Sequence, residues 1–219
     1  MPLDSNLQDE IIEWMYGFEA TKDDKKNCKL TFLMFSRMLH SKGIMEYLSA
    51  VKSLNKDIFN KADFLLLGGA YPFNQNKIDG EWLSGVDAID PDELLLKTNQ
   101  AGVKWLGHDS NVLNYLSISD VVVLPTYYPE GLPRSLLEAM SCENAIITTN
   151  TPGCRDVVDG TNGFLVEPKN TKQLTKSIEN CIKMNDFDLM KMKQRSREIV
   201  KNNFSDEIII ESYKKLYQE

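Results

Sequence analysis

The 219-residue sequence predicts an α/β domain, a doubly wound and mostly parallel sheet with helices on both faces. Three observations carry that prediction. From Lys29 onward short apolar runs alternate with helical patterns, the runs are nearly continuous in apolar residues, and each closes on Gly, Pro or a polar residue. Near-continuous apolar strands are what a parallel sheet needs when both of its faces are covered.

In chain order KLTFLMFS, DFLLLG, VKWLG, DVVVLP, NAIITT and GFLV read as strands, being short and partly β-branched. Between them KGIMEYLSAVKSL, PDELLLKTNQA, SNVLNYLSIS and PRSLLEAMS carry apolar residues three and four apart, the period of a helix face. TKQLTKSIENCIKM, DFDLMKMKQRSREIV and SDEIIIESYKKLY close the chain as three more helices. The stretch 69–89 is polar and rich in Gly and Asn, and reads as a loop. Upstream, Leu7, Ile11, Ile12, Trp14, Met15 and Phe18 recur at helical spacing until the charged TKDDKKN run breaks the pattern. The chain therefore divides into an amphipathic helix with a charged linker over 1–28 and one domain over 29–219.

A formal charge of −7 argues against nucleic acid or an anionic membrane surface as the main partner, since both need a basic face. The 4 cysteines lie far apart without a CxxC pair and only 2 histidines could join them. Neither a zinc framework nor a disulfide scaffold follows, and a reducing cytoplasm fits best. The opening MPLDSNLQDE has neither a basic nor an apolar signal region, and no apolar run approaches the ~18 residues that span a bilayer.

In open α/β sheets ligands sit beyond the carboxyl ends of the strands, so the loops that follow strands are where chemistry is expected. After the first strand, Arg37 and Lys42 precede a helix; two cations beside helix-terminal amides suit a diphosphate, and two solvated loop charges fit the local pattern as well. After DVVVLP, the stretch PEGLPRSLLEAM places Glu130 before a helix and Glu138 inside it, with Pro133 at the first helical turn. Leu136, Leu137, Ala139 and Met140 gather on one side and Glu138 points away from them, as a solvent-facing glutamate or as a carboxylate holding the diol of a sugar. Gly131 lets a ligand approach the backbone, and the amides near Leu132 are free to meet a phosphate. His108, after VKWLG, has no nucleophile or orienting acid beside it in sequence and reads as a turn residue before it reads as a base. Asp90-Pro91-Asp92 has a metal-site spacing but is also what a helix start requires, and no metal is expected. The dinucleotide fingerprint, the P-loop and the nucleophile elbow are missing from the sequence.

Taken together, Arg37, the Lys42-Gly43 pair, WLGH, DVVVLPTYYPEGLPRSLLEAMS and NTPGCRDVVDGTNGFLVEP resemble the C-terminal, donor-binding domain of the group 1 retaining glycosyltransferases. The resemblance runs from about Lys29 to the end of the chain and implies one Rossmann-like half of the GT-B fold. Its most specific element is the pair Glu130 and Glu138 with seven residues between them. It implies that Arg37 and Lys42 bind the diphosphate of a nucleotide sugar, and that Glu130 contacts the donor sugar assisted by the amides of Gly131 and Leu132. Glu138 would hold the ribose, and the segment from Leu106 to His108 would flank the base. No cofactor is implied. The implied reaction transfers a hexose-type sugar with retention to a glycan or lipid-linked acceptor in bacterial surface polysaccharide synthesis, in the cytoplasm or at the inner face of the membrane.

The family's N-terminal acceptor-binding domain has at most 28 residues in its place here, which implies a truncated or split enzyme served by a separate chain or by self-association. The last helix would then leave Ile208, Ile209, Tyr213 and Leu216 partly uncovered, unless the 1–28 helix shields them. The other reading is a non-catalytic module that binds nucleotide sugar or another protein.

Overall fold

The computed structural model describes residues 29–70, 77–78, 81–82 and 87–217. The helix and linker expected over 1–28 lie outside them.

Among the described residues eight strands form: β1 (Leu30–Phe35), β2 (Ala62–Leu67), β3 (Lys77–Ile78), β4 (Glu81–Trp82), β5 (Lys104–Trp105), β6 (Val121–Leu124), β7 (Ala145–Thr149) and β8 (Gly163–Val166). They alternate with α1 (Ile44–Lys52), α2 (Lys56–Phe59), α3 (Pro91–Ala101), α4 (Val112–Ile118), α5 (Arg134–Ser141), α6 (Thr171–Lys183), α7 (Asp186–Asn203) and α8 (Asp206–Leu216). All six expected strands enter one sheet, ordered β5-β2-β1-β6-β7-β8, in which every pairing is parallel. Counted within that sheet, the order is that of a Rossmann-type doubly wound domain. The chain winds outward from β1 in one direction and, after β5, crosses back to wind from β6 in the other. The loops after β1 and β6 therefore flank the crevice where strand order reverses.

The sheet alternates its side chains between two cores, as the two-residue strand period requires. Phe32, Met34, Phe64, Leu66, Val121, Val123 and Ile147 face one way, onto α1, α3 and α6. Leu33, Phe35, Leu65, Leu67, Val122, Leu124 and Ile146 face the other, onto α4 and α5. Helix α7 serves both: Leu189 and Met192 join the first core and Ile199 the second.

The helices begin where the sequence supplies caps. Asn55, Asn170 and Asn185 each accept the backbone N–H three residues ahead. Asp90 accepts from the N–H groups of Asp92 and Glu93, with Pro91 in the first turn of α3, so this aspartate is committed as a helix cap.

Two expectations change. The 69–89 stretch is not all loop: β3 and β4 pair antiparallel, Lys77 with Trp82 and Ile78 with Glu81, and Leu39 bridges Ala88. Strands β3 and β4 each have only two residues, in a polar stretch with no flanking apolar run of the kind that made β5 legible. Pro133 caps α5 from outside, at φ −65° and ψ 113°, and the helix starts at Arg134. Proline fixes only φ, so it is equally at home one position earlier.

Candidate functional site at the strand-order reversal

Two tight approaches of backbone bring the loops after β1, β6 and β7 together. The turn His40–Lys42 ends at Gly43, whose φ is +80°, and a Cβ there would lie 2.1 Å from the carbonyl oxygen of Pro125. On the other side Gly153, at φ +81°, sits under the β6 loop, where a Cβ would lie 1.4 Å from the carbonyl oxygen of Gly131. Only glycine allows either contact.

One carbonyl stitches the first two loops. Ser41 accepts from the N–H of Tyr127 at 2.8 Å, the N–H of Tyr128 at 3.1 Å and the hydroxyl of Thr126 at 3.1 Å. Ser41 itself is held from behind, its N–H donating to Asp87 Oδ1 at 2.9 Å and its hydroxyl to Asp87 Oδ2. The His40 N–H donates to the Asp87 carbonyl at 2.8 Å. Asp87, Thr126 and Gly153 thus position the site, and none was singled out from sequence. Gly153 alone had a visible signal, as a Pro-Gly pair just past a strand.

Lys42, next to the stitched carbonyl, forms an ion pair with Glu130 Oε1 across the crevice. The two side chains are only 12% and 14% exposed. Thr126 Oγ1 lies 3.3 Å from the same carboxylate oxygen, and Lys42 Nζ stands 5.2 Å from the centre of the Tyr128 ring. Beyond Glu130 the position at Gly131 is open, with nothing among the described residues within 4 Å of where a Cβ would stand. Tyr127 is enclosed differently. Lys169, at φ 60° after β8, lies over its ring at 4.3 Å, and burial, then Glu46 and Asp87, raise its phenol above the ordinary value.

The remaining sequence candidates are not brought into this cluster. Arg37 is exposed and, among the described residues, its side chain makes no ion pair. Glu138 lies on α5 with its side chain 44% exposed, 3.8 Å from Arg134 one turn earlier, while Leu136, Ala139 and Met140 are buried beneath it. Leu132 is exposed at the start of that helix. His108 is exposed beyond β5, and its neighbour Asp109 is engaged by the Asn111 N–H at 2.7 Å and the Tyr115 hydroxyl at 2.8 Å. That arrangement makes the 107–111 segment a shaped turn, and burial together with Asp109 pushes the Tyr115 phenol up to about 12. On α8, Ile209 and Tyr213 are exposed, as is Ile210, while Ile208 is half-buried and the side chain of Leu216 lies outside the described set. Among the described residues no helix is long and apolar enough to cross a membrane.

A six-stranded parallel sheet whose reversal point is lined by a partly buried lysine–glutamate pair defines a Rossmann-like α/β domain of the kind found in GT-B proteins. The chain belongs to the group 1 glycosyltransferases: the profile of the family described as "Glycosyl transferases group 1" matches residues 18–203. It is 29% identical over 186 residues to N,N'-diacetylbacillosaminyl-diphospho-undecaprenol alpha-1,3-N-acetylgalactosaminyltransferase of Campylobacter jejuni, covering 84% of this chain and 43% of the relative. It is 30% identical over 183 residues to the capsular polysaccharide biosynthesis glycosyltransferase CapM of Staphylococcus aureus, covering 83% of this chain and 44% of that one. The chain thus spans less than half the length of these two relatives.

Among solved structures, Anabaena Alr3699/HepE in complex with UDP and glucose superposes with a TM-score of 0.71 at 20% identity, over 98% of this chain and 51% of that one. The C-terminal domain of the group 1 glycosyl transferase LpcC from Francisella tularensis superposes with a TM-score of 0.65 at 25% identity, over 84% of this chain and 91% of that domain.

Proposed function

We propose that this chain is the donor-binding half of a retaining group 1 glycosyltransferase, which moves a hexose-type sugar from a nucleoside diphosphate to a glycan or lipid-linked acceptor in the assembly of surface polysaccharide. The observation that carries the reading is the Lys42–Glu130 pair, poised at the reversal point beside the open position at Gly131. The match to an isolated C-terminal domain, the UDP complex of a structural neighbour and the lipid-linked and capsular names of the relatives support it.

In this reading the sugar–phosphate bond breaks and negative charge gathers on the departing diphosphate. Lys42 and the exposed Arg37 stabilise that charge, and a preset cation costs no reorganisation as the bond opens. Glu130, with the amides of Gly131 and Leu132, orients the sugar through its hydroxyls. Glu138 takes the ribose diol, and the turn from Leu106 to His108 borders the base. The domain is taken as 29–219, and a second α/β domain supplies the acceptor wall.

Calorimetry with UDP, GDP and their sugars tests the reading. Binding is expected with one base, and Glu138→Ala is expected to weaken it roughly tenfold by removing hydrogen bonds to a charged group. No binding at millimolar concentration, or an unchanged affinity in the variant, overturns the donor site. The non-catalytic alternative gains if donor binds yet no sugar is transferred when an acceptor domain is supplied.

A further inference from the structure

Tyr128 is the aromatic residue of the β6 loop that the rest of the loop does not use. Its neighbour Tyr127 is half-buried, with Lys169 over its ring. Tyr128 instead leaves 43% of its surface exposed, and its phenol has no hydrogen-bond partner among the described residues. An exposed tyrosine on a mobile loop would carry no meaning, but this one is held. Its N–H is shared between the Ser41 carbonyl at 3.1 Å and Thr126 Oγ1 at 3.2 Å. Pro129 follows it, which removes the helical region from the backbone choices of Tyr128. Lys42 Nζ, which holds Glu130, lies over one face of the ring at 5.2 Å from its centre, and the exposed remainder of the ring is what a ligand can meet.

A preset aromatic face, a carboxylate that accepts from hydroxyls and a glycine that leaves room form a complementary set. A pyranose ring has the matching surfaces, hydroxyls around its rim and a patch of C–H groups on its face. The C–H patch is positively polarised and meets the negative face of an aromatic ring, in the manner of edge-to-face packing. We infer that Tyr128 is a specificity-determining wall for the pyranose of the donor, stacking on the ring face while Glu130 holds the hydroxyls. Sugars whose axial hydroxyls interrupt the C–H patch fit this wall less well, so Tyr128 contributes to the choice of sugar as well as to its affinity. The inference rests on the donor-site reading above, and it concerns only the sugar, since a bare nucleoside diphosphate has no pyranose to stack.

The test is the affinity increment, the ratio of Kd for the bare nucleoside diphosphate to Kd for its sugar conjugate. It is measured by calorimetry with UDP, UDP-glucose, UDP-galactose and UDP-N-acetylglucosamine, and with GDP and GDP-mannose. Tyr128→Ala is expected to cut the increment for the preferred sugar roughly fivefold, the size of an aromatic contact, and to flatten the preference among sugars. Tyr128→Phe keeps the ring and is expected to restore both. An undiminished increment in Tyr128→Ala, with the nucleotide still bound, overturns the wall and leaves the donor site standing. A loss in Tyr128→Phe equal to that in Tyr128→Ala also overturns it, by making the hydroxyl the relevant group. A native chain that binds none of these nucleotides overturns the donor-site reading itself.

Discussion

At the scale of single residues, Lys42 and Glu130 are each other's counterion before any ligand arrives. A diphosphate bound as proposed would compete with Glu130 for the lysine, which gives a prediction with an unusual sign. Glu130→Gln is expected to tighten binding of bare UDP or GDP roughly fivefold, about 1 kcal/mol, while reducing the increment due to the sugar. An unchanged or weaker nucleotide affinity in calorimetry would remove the competition. Gly153 gives a second prediction. Alanine there meets the Gly131 carbonyl and must adopt a left-handed backbone, so Gly153→Ala is expected to destabilise the fold by roughly 2 kcal/mol. The melting temperature should fall by about 4–8 °C, with sugar recognition lost before nucleotide recognition because the displaced backbone is that of Glu130 and Gly131. Lys42 and Glu130 were legible as candidates from sequence, because they follow strands. Their pairing was not, since it depends on a serine carbonyl with three donors, an arrangement no spacing encodes.

At the scale of elements, the caps decide where helices begin. Asp90→Ala is expected to cost about 1 kcal/mol and lower the melting temperature by about 2–4 °C, with nucleotide affinity unchanged, because the carboxylate is occupied by two backbone amides. Loss of binding in that variant would restore a ligand role for the Asp90-Pro91-Asp92 stretch. A second tie joins the segment before β8 to α7. Burial opposes the charge on Asp159, but hydrogen bonds from Thr161 and Arg195 outweigh it and hold the carboxyl below its ordinary value. A carboxylate whose folded pKa is depressed stabilises the fold above its unfolded value, and that contribution disappears as pH falls through the folded one. Asp159→Asn should therefore cost about 0.5–1 kcal/mol at pH 7, modest because the pair is partly exposed, and the difference from the native chain should close below about pH 4 in denaturant titrations. The strands and long helices were readable because each repeats its period over several residues. The β3–β4 pair and α2 each span only about one period, so no repeat reveals them.

At the scale of the molecule, the sequence pattern led directly to the parallel sheet, because strands buried on both faces leave few other architectures. It did not show that α7 belongs to both layers. The pattern DFDLMKMKQRSREIV places Leu189 and Met192 early and Ile199 late, and only the folded chain reveals that these meet opposite faces of the sheet. A helix inserted into two cores at once removes the option of opening one face alone. Peeling away α1, α3 and α6 would strip half of α7, and releasing α4 and α5 would strip the other half. Amide hydrogens in β1 and β6, at the centre of the sheet, should accordingly exchange with solvent together with those of α7, through one cooperative opening near the global unfolding free energy. On that expectation the crevice between β1 and β6 is bordered by the slowest-opening part of the protein, and its loops are anchored to a frame that opens only with the whole fold.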